Sequence, residues 1–261
     1  MILPIRTLTS LTADLTPSQK AQLDEVVSLM LEIYQTLVRM RYLSPINIQQ
    51  GPHDLPPSIL SLYVSLNLDP RIIYLYSVLP YIDPERAQGL GFFGGGEFTD
   101  FRTEGDVVQG RDPMYSEQPE ERMRPWMTPL SCIGNHNTAL IYDARKHEVG
   151  IYGQIACGSI DKNLREGWDG EYDEDDEEPG DENMWDDMEA RSAPSVLGDI
   201  VRWYRELKEL PGGEKDGFQW EEEIIKPLYI KHGWPGEDFD GDAFLVDKAR
   251  DYAAWCEKKG Y

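Results

Sequence analysis

Twenty-four residues of this chain, Glu166 to Glu189, contain 14 Asp and Glu and no Lys or Arg. Carboxylates at this density repel one another and leave little apolar surface to bury, so the run interrupts whatever core its flanks build. It separates a mixed helix-and-strand body from a helical C-terminal part. It also carries 14 of the 23 net negative charges of the 261-residue chain. Outside it the sequence is only mildly acidic and rich enough in hydrophobic residues (40% overall) to bury a real core.

The charge balance narrows the partners. A net charge of -23 opposes nucleic acid, whose binding depends on neutralising phosphates with Lys and Arg, and anionic membranes for the same reason. The N-terminus, Met1 to Arg6, has no basic stretch leading into an apolar one, and no apolar run approaches the roughly 18 residues that span a bilayer. The cysteines, Cys132, Cys157 and Cys256, are odd in number and lack CxxC spacing, and no Asn-x-Ser/Thr sequon occurs. These features suit a reducing compartment, so the expected location is cytoplasmic or nuclear.

Several elements are legible from spacing. Thr16, Pro17 and Gln19 form a helix start with a capping box. Leu23, Val26, Val27, Met30, Ile33, Tyr34, Leu37 and Val38 then make one apolar stripe, which predicts a helix ending near Leu43, before Pro45. Residues 44–57 read as a loop. A shorter helix is expected from Pro57 or Ser58 to about Asn67. Arg71–Leu79 is almost wholly apolar and reads equally as a buried strand or a buried helix. Residues 84–127 are rich in Gly, Pro and charge, with Gly94-Gly95-Gly96 among Phe92, Phe93, Phe98 and Phe101, and are expected to be packed but irregular. Thr138–Tyr142 and Glu148–Ile155 predict a β-hairpin, with Val149, Ile151 and Ile155 on one face and Tyr152 and Gln154 on the other. Beyond the acidic run, helices are expected from Pro194 to about Leu210, stopped by Pro211-Gly212-Gly213, and at about 218–231 and 243–258. Asp242 is the expected cap of the last, and Phe244, Leu245, Tyr252 and Trp255 its docking residues.

The order of these elements is informative. An N-terminal helix precedes Leu55-Pro56-Pro57, which opens a helix holding Ile59, Leu60 and Leu66. Met127-Thr128-Pro129-Leu130 then enters a short polar loop, and Ala139-Leu140-Ile141-Tyr142-Asp143 forms a strand ending in Asp. The strand with Val149 and Ile151 and the helix with Val196, Leu197 and Ile200 follow. Over about residues 18–210 this resembles the SUKH superfamily of fungal cell-wall assembly regulators and bacterial toxin-immunity proteins. The chain departs from that pattern at Gly134-Asn135-His136-Asn137, at Asn67-Leu68-Asp69-Pro70, in the acidic insertion and in the C-terminal tail. The resemblance implies a non-enzymatic, protein-binding α+β fold around a single sheet.

Motifs for chemistry are weak. Asp238, Asp240 and Asp242 alternate like the start of a calcium loop, but Gly241 is at the fourth position and Ala249 at the twelfth, where the loop needs Gly at six and Glu at twelve. Cys132, His136, His147 and Cys157 match no standard zinc spacing. No Gly-x-Ser-x-Gly elbow is present, Cys132 beside Leu130-Ser131 reads as a buried structural thiol rather than the partner of His147, and the triglycine lacks the Lys-Ser/Thr of a phosphate loop. The acids of the 92–126 segment, Glu97, Asp100, Glu104 and Asp106, beside its aromatics, read as surface charge over core packing rather than a glycosidase pair.

The expectation is therefore an α+β fold: a single mostly antiparallel or mixed sheet flanked by helices over residues 1–212, interrupted by an acidic insertion at 166–190. A helical extension, 213–261, packs on it. The expected function is protein–protein interaction of SUKH type with no cofactor and no metal. A basic partner would be engaged by Trp168, Asp173, Glu174, Asp175, Asp176, Glu177, Glu178 and Trp185. The alternative is an enzyme or small-ligand protein with a cleft at Phe93, Phe98, Phe101 and Trp126. For the acidic run itself, an inert solvated insertion and a segment that folds on a partner or on its own body are both open.

Overall fold

The computed structural model describes residues 7–113, 122–132, 138–154, 158–164, 183–212 and 221–259. After a short helix α1 (Leu8–Leu11), the long helix α2 (Pro17–Arg39) starts as the capping box dictates. The Thr16 hydroxyl accepts from the Gln19 N–H (3.2 Å) and the Gln19 side chain accepts from the Thr16 N–H (2.9 Å). Leu23, Val26, Met30, Ile33, Tyr34 and Leu37 are buried along its stripe. The helix ends earlier than Leu43. Arg41 turns left-handed (φ 59°), its N–H bonds Val38 O, and the Tyr42 N–H reaches back to Leu37 O (3.0 Å). This is a Schellman ending with arginine in the place usually held by glycine.

A 3₁₀ turn (Pro45–Asn47) and a two-residue strand β1 (Ile48–Gln49) occupy the expected loop, followed by α3 (Pro57–Ser65). Arg71–Leu79 resolves as a helix, α4 (Pro70–Val78). Asp69 caps it by accepting from the Arg71 N–H (3.0 Å), and Pro70 takes the first helical position. Strand β2 (Tyr81–Ile82) pairs with β1, and the 84–127 segment contains a 3₁₀ turn (Phe93–Gly95) and helix α5 (Glu104–Gln109).

The main sheet is antiparallel, with β3 (Met127–Pro129), β4 (Thr138–Asp143) and β5 (Glu148–Gly153) in order. Both β6 (Gly158–Ser159) and β7 (Arg191–Ser192) then pair with the free edge of β5. The β4–β5 turn is closed by Asp143, whose carboxylate accepts from the Arg145 (2.7 Å) and Lys146 (3.1 Å) N–H groups. Strand alternation sends Leu140, Tyr142, Val149 and Ile151 to the helical side and Ala139, Ile141 and Tyr152 to the other. The hairpin is as the spacing predicted, with Val149 and Ile151 on one face and Tyr152 on the other, but β5 ends at Gly153, before Gln154, and Ile155 lies outside the described residues.

Helix α6 (Ala193–Arg205) packs between α2 and β5, burying Val196, Leu197, Ile200, Val201 and Tyr204. It stops five residues short of Leu210, and not at Pro211-Gly212. Leu207 adopts φ 53° and the Lys208 N–H bonds Trp203 O (2.9 Å), a second Schellman ending. A π-helical turn (Glu221–Ile225) leads into α7 (Lys226–Lys231), and α8 (Gly241–Lys259) follows. Asp240, not Asp242, caps α8 by accepting from the Ala243 N–H (3.0 Å), because the helix begins one residue before the expected cap. Asp242 instead pairs with Arg41 (2.9 Å). Phe244 is buried and Trp255 packs on the core, whereas Leu245 and Tyr252, about a quarter turn away around α8, are exposed. Leu228, Tyr229, Trp234 and Phe244 belong to the same hydrophobic cluster as α2, α4, α6 and the inner sheet face. The architecture is α+β, an antiparallel sheet flanked by helices.

Candidate protein-interaction surface

The acidic insertion leaves and rejoins the fold on one strand. Its N-terminal root is β6, which pairs Ser159 with Tyr152, and the Ile160 N–H continues the pairing to Ile151 O (2.8 Å). Its C-terminal root is β7, which pairs Arg191 with Val149 and Ser192 with Glu148. Both ends of residues 160–190 therefore hang from the β5 edge.

A charged latch joins the roots. Arg191 donates to Asp161 through Nε (2.7 Å) and Nη2 (3.0 Å), and its Nη1 reaches Asp199 on α6 (2.9 Å). The Asp161 side chain is only 1% exposed and also accepts from the Asn163 N–H (2.9 Å). A carboxylate taken out of water survives only when its lone pairs are filled in this way. Neither Asp161 nor Arg191 stood out in the sequence. An Arg thirty residues from its partner leaves no periodic trace.

The chain then crosses the outer face of the sheet at 183–189. The Asn183 carboxamide accepts from the Trp185 N–H (3.1 Å) and donates to Arg122 O (2.8 Å), fixing a turn. Trp185 is buried with its ring centroid 5.5 Å from that of Tyr152. Met188 lies over Gly150, where a Cβ would sit 2.7 Å from the Met188 methyl. Glycine inside a strand marks such a close approach. Arg124 grips Asp186 in a bidentate pair (Nε to Oδ1, 2.8 Å), and that hydrogen bond holds the Asp186 carboxyl below its ordinary pKa. Beside it the Arg145 guanidinium stacks on Trp126 at 3.4 Å.

Of the residues assigned to partner binding, Trp168 and Asp173, Glu174, Asp175, Asp176, Glu177 and Glu178 lie outside the described residues, as do His136 and Cys157. Trp185 is described and is buried against its own sheet, so it is not a free anchor. The four aromatics of the alternative cleft do not converge on one opening. Phe93 packs on Trp203, Phe98 on Tyr34 and Phe92, and Phe101 stacks on Tyr76 at 4.1 Å, all within the main core. Trp126 sits on the other side of the sheet. Cys132 is buried at a bridge to Glu97, and burial, reinforced by Asp106 and Glu97, pushes its thiol up to about 12. His147 bonds Tyr142 OH (3.1 Å) and Glu25 (3.2 Å). Among the described residues no group of three or more His, Cys, Asp or Glu is placed to hold a metal ion, and no helix is long and apolar enough to cross a membrane.

No family model, no curated protein and no solved structure matches this chain.

Proposed function

We propose that the protein is a non-enzymatic protein–protein interaction module of SUKH type that presents its acidic insertion to a basic partner surface. The observation that carries this reading is the rooting of residues 160–190 at both ends on the β5 edge, locked by Asp161, Arg191 and Asp199. A segment of 14 carboxylates whose two described roots pair with the same strand edge is tied to the body at two neighbouring points. Its field is thereby concentrated, and the entropy lost on engaging a partner is reduced. The SUKH comparison is supported by the order of α2, the Leu55-Pro56-Pro57 start of α3, the Met127–Leu130 entry to the sheet, and a β4 strand ending in the turn-closing Asp143. The aromatics of the 92–126 segment act as packing in this reading, with Phe93 and Phe101 buried.

The test is affinity capture with the full chain against a variant in which residues 173–178 are Ser and Asn. A protein recovered by the intact chain, lost by the variant and released by salt is the expected result. A partner held equally by both forms, with affinity unchanged across a wide salt range, would refute steering by the acidic run.

A further inference from the structure

The outer sheet face is apolar at its centre and cationic at its rim, against the sign of a chain with net charge -23. Met123, Met127, Ile141 and Tyr152 make the centre. Arg124 and Arg145 stand at the edge, and Lys146 is near enough to help hold Asp186 ionised. Two residues of the centre, Met123 and Met127, are methionines, and a third, Met188, packs on it from the covering segment. Thioether side chains repack easily around different ligands.

Among the described residues, side chains hold the segment that covers the face, and no strand pairing is seen at 183–189. Trp185 and Met188 supply the apolar contact, three positions apart, and Asp186 answers Arg124. That ion pair is more than a third exposed on both sides, so it contributes little energy and mainly sets orientation. Bare backbone at Gly150 is what lets a side chain lie flat on the strand.

We propose that this face is a docking surface for an acidic segment of a partner protein bearing a Trp and an apolar residue three positions on. Residues 185–188 fill it in cis until such a segment displaces them. The chemistry of the ligand is that of the segment already seated: an indole against Tyr152, a flexible apolar chain over Gly150, a carboxylate on Arg124. The surface is separate from the carboxylates of residues 173–178, on which the test of the proposed function rests, so the two proposals can fail independently. A tethered occupant competes at an effective concentration in the millimolar range, so a ligand in trans binds measurably only when it is concentrated or the cis segment is weakened.

The experiment uses the full chain and a fluorescent peptide with the sequence of residues 182–190. In the variant Trp185→Ala with Met188→Ala, the peptide is expected to bind at least tenfold more tightly than to the wild type. Binding should weaken with salt and be lost when the Trp of the peptide becomes Ala. Equal binding to both proteins overturns the proposal. So does no binding to a variant whose circular dichroism and urea transition match the wild type. If the variant does not fold, amide exchange of the wild type with millimolar peptide decides. Faster exchange at the Trp185 and Asp186 N–H groups supports displacement, and unchanged exchange overturns it. A wild-type dimer that the peptide splits into monomers would instead assign the face to the same segment of a second copy and overturn the separate-partner reading.

Discussion

Three basic side chains converge on Asp247. It accepts from Lys231, from His232 Nε2 (3.0 Å) and, through its other oxygen, from Arg250 Nη1 (2.6 Å). The Lys231 hydrogen bond, then that of His232 and the nearby charge of Arg250, hold its carboxyl down to about 2. The unfolded chain titrates this group near ~3.9. A folded value below the unfolded one gives stability that is fully present above about pH 4 and lost as pH falls toward 2. Asp247→Asn is therefore expected to lower the urea midpoint at pH 6, with the gap from wild type closing between pH 4 and pH 2. A gap that stays constant over that range would show that the ion cluster is not its source. Arg191 makes a sharper case. Arg191→Ala strands the buried Asp161 carboxylate, and a loss of about 2–4 kcal/mol is expected in urea unfolding, discounted because Arg191 itself is partly exposed. The companion change Asp161→Asn leaves no stranded charge and should cost less than Arg191→Ala.

Helix starts and helix ends differ in how far they show in local sequence. The starts of α2 and α4 are written in Thr16-Pro17 and Asp69-Pro70, because a cap and an N-terminal proline act within one turn. The cap before Pro70 also distinguishes the helix from a strand in a stretch whose periodicity is ambiguous. Four ends share the Schellman bond pattern, with Arg41, Asn67, Leu207 and Gly233 left-handed, and only Asn67 and Gly233 are residues that commonly take that position. Placing Arg41 or Leu207 there carries a strain of about 1 kcal/mol that nothing local offsets. Burial of the flanking Met40 and of Leu207 itself offsets it, and burial is a property of the whole fold. Arg41→Gly is expected to stabilise the protein by about 0.5–1 kcal/mol, since the lost Arg41–Asp242 pair is largely exposed. At the start of α8, Asp240→Ala should cost about 1 kcal/mol and Asp242→Ala clearly less. Equal losses in the two variants would return the cap to Asp242.

At the scale of the molecule, α7 and α8 share one core with the N-terminal helices. Tyr229 donates to Met40 O (2.8 Å), Trp234 Nε1 donates to Tyr204 O (3.0 Å), and Phe244 stacks on Tyr229 at 4.2 Å. Phe244→Ala is expected to cost about 3–5 kcal/mol and to shift a single transition seen equally by tryptophan fluorescence and circular dichroism. Two separated transitions would show that the C-terminal helices unfold alone. The sequence by itself determined the α+β class, the long capped helix, the two-faced hairpin and the place of the acidic insertion. Each of these rests on period, capping or charge acting over a few residues. Only the tertiary structure decided that Trp185 turns inward on Tyr152, that Asp161 meets Arg191, and where α2 and α6 stop. Those outcomes join residues far apart in the chain. Their energies come from burying surface and charge together, which no local pattern of residues encodes.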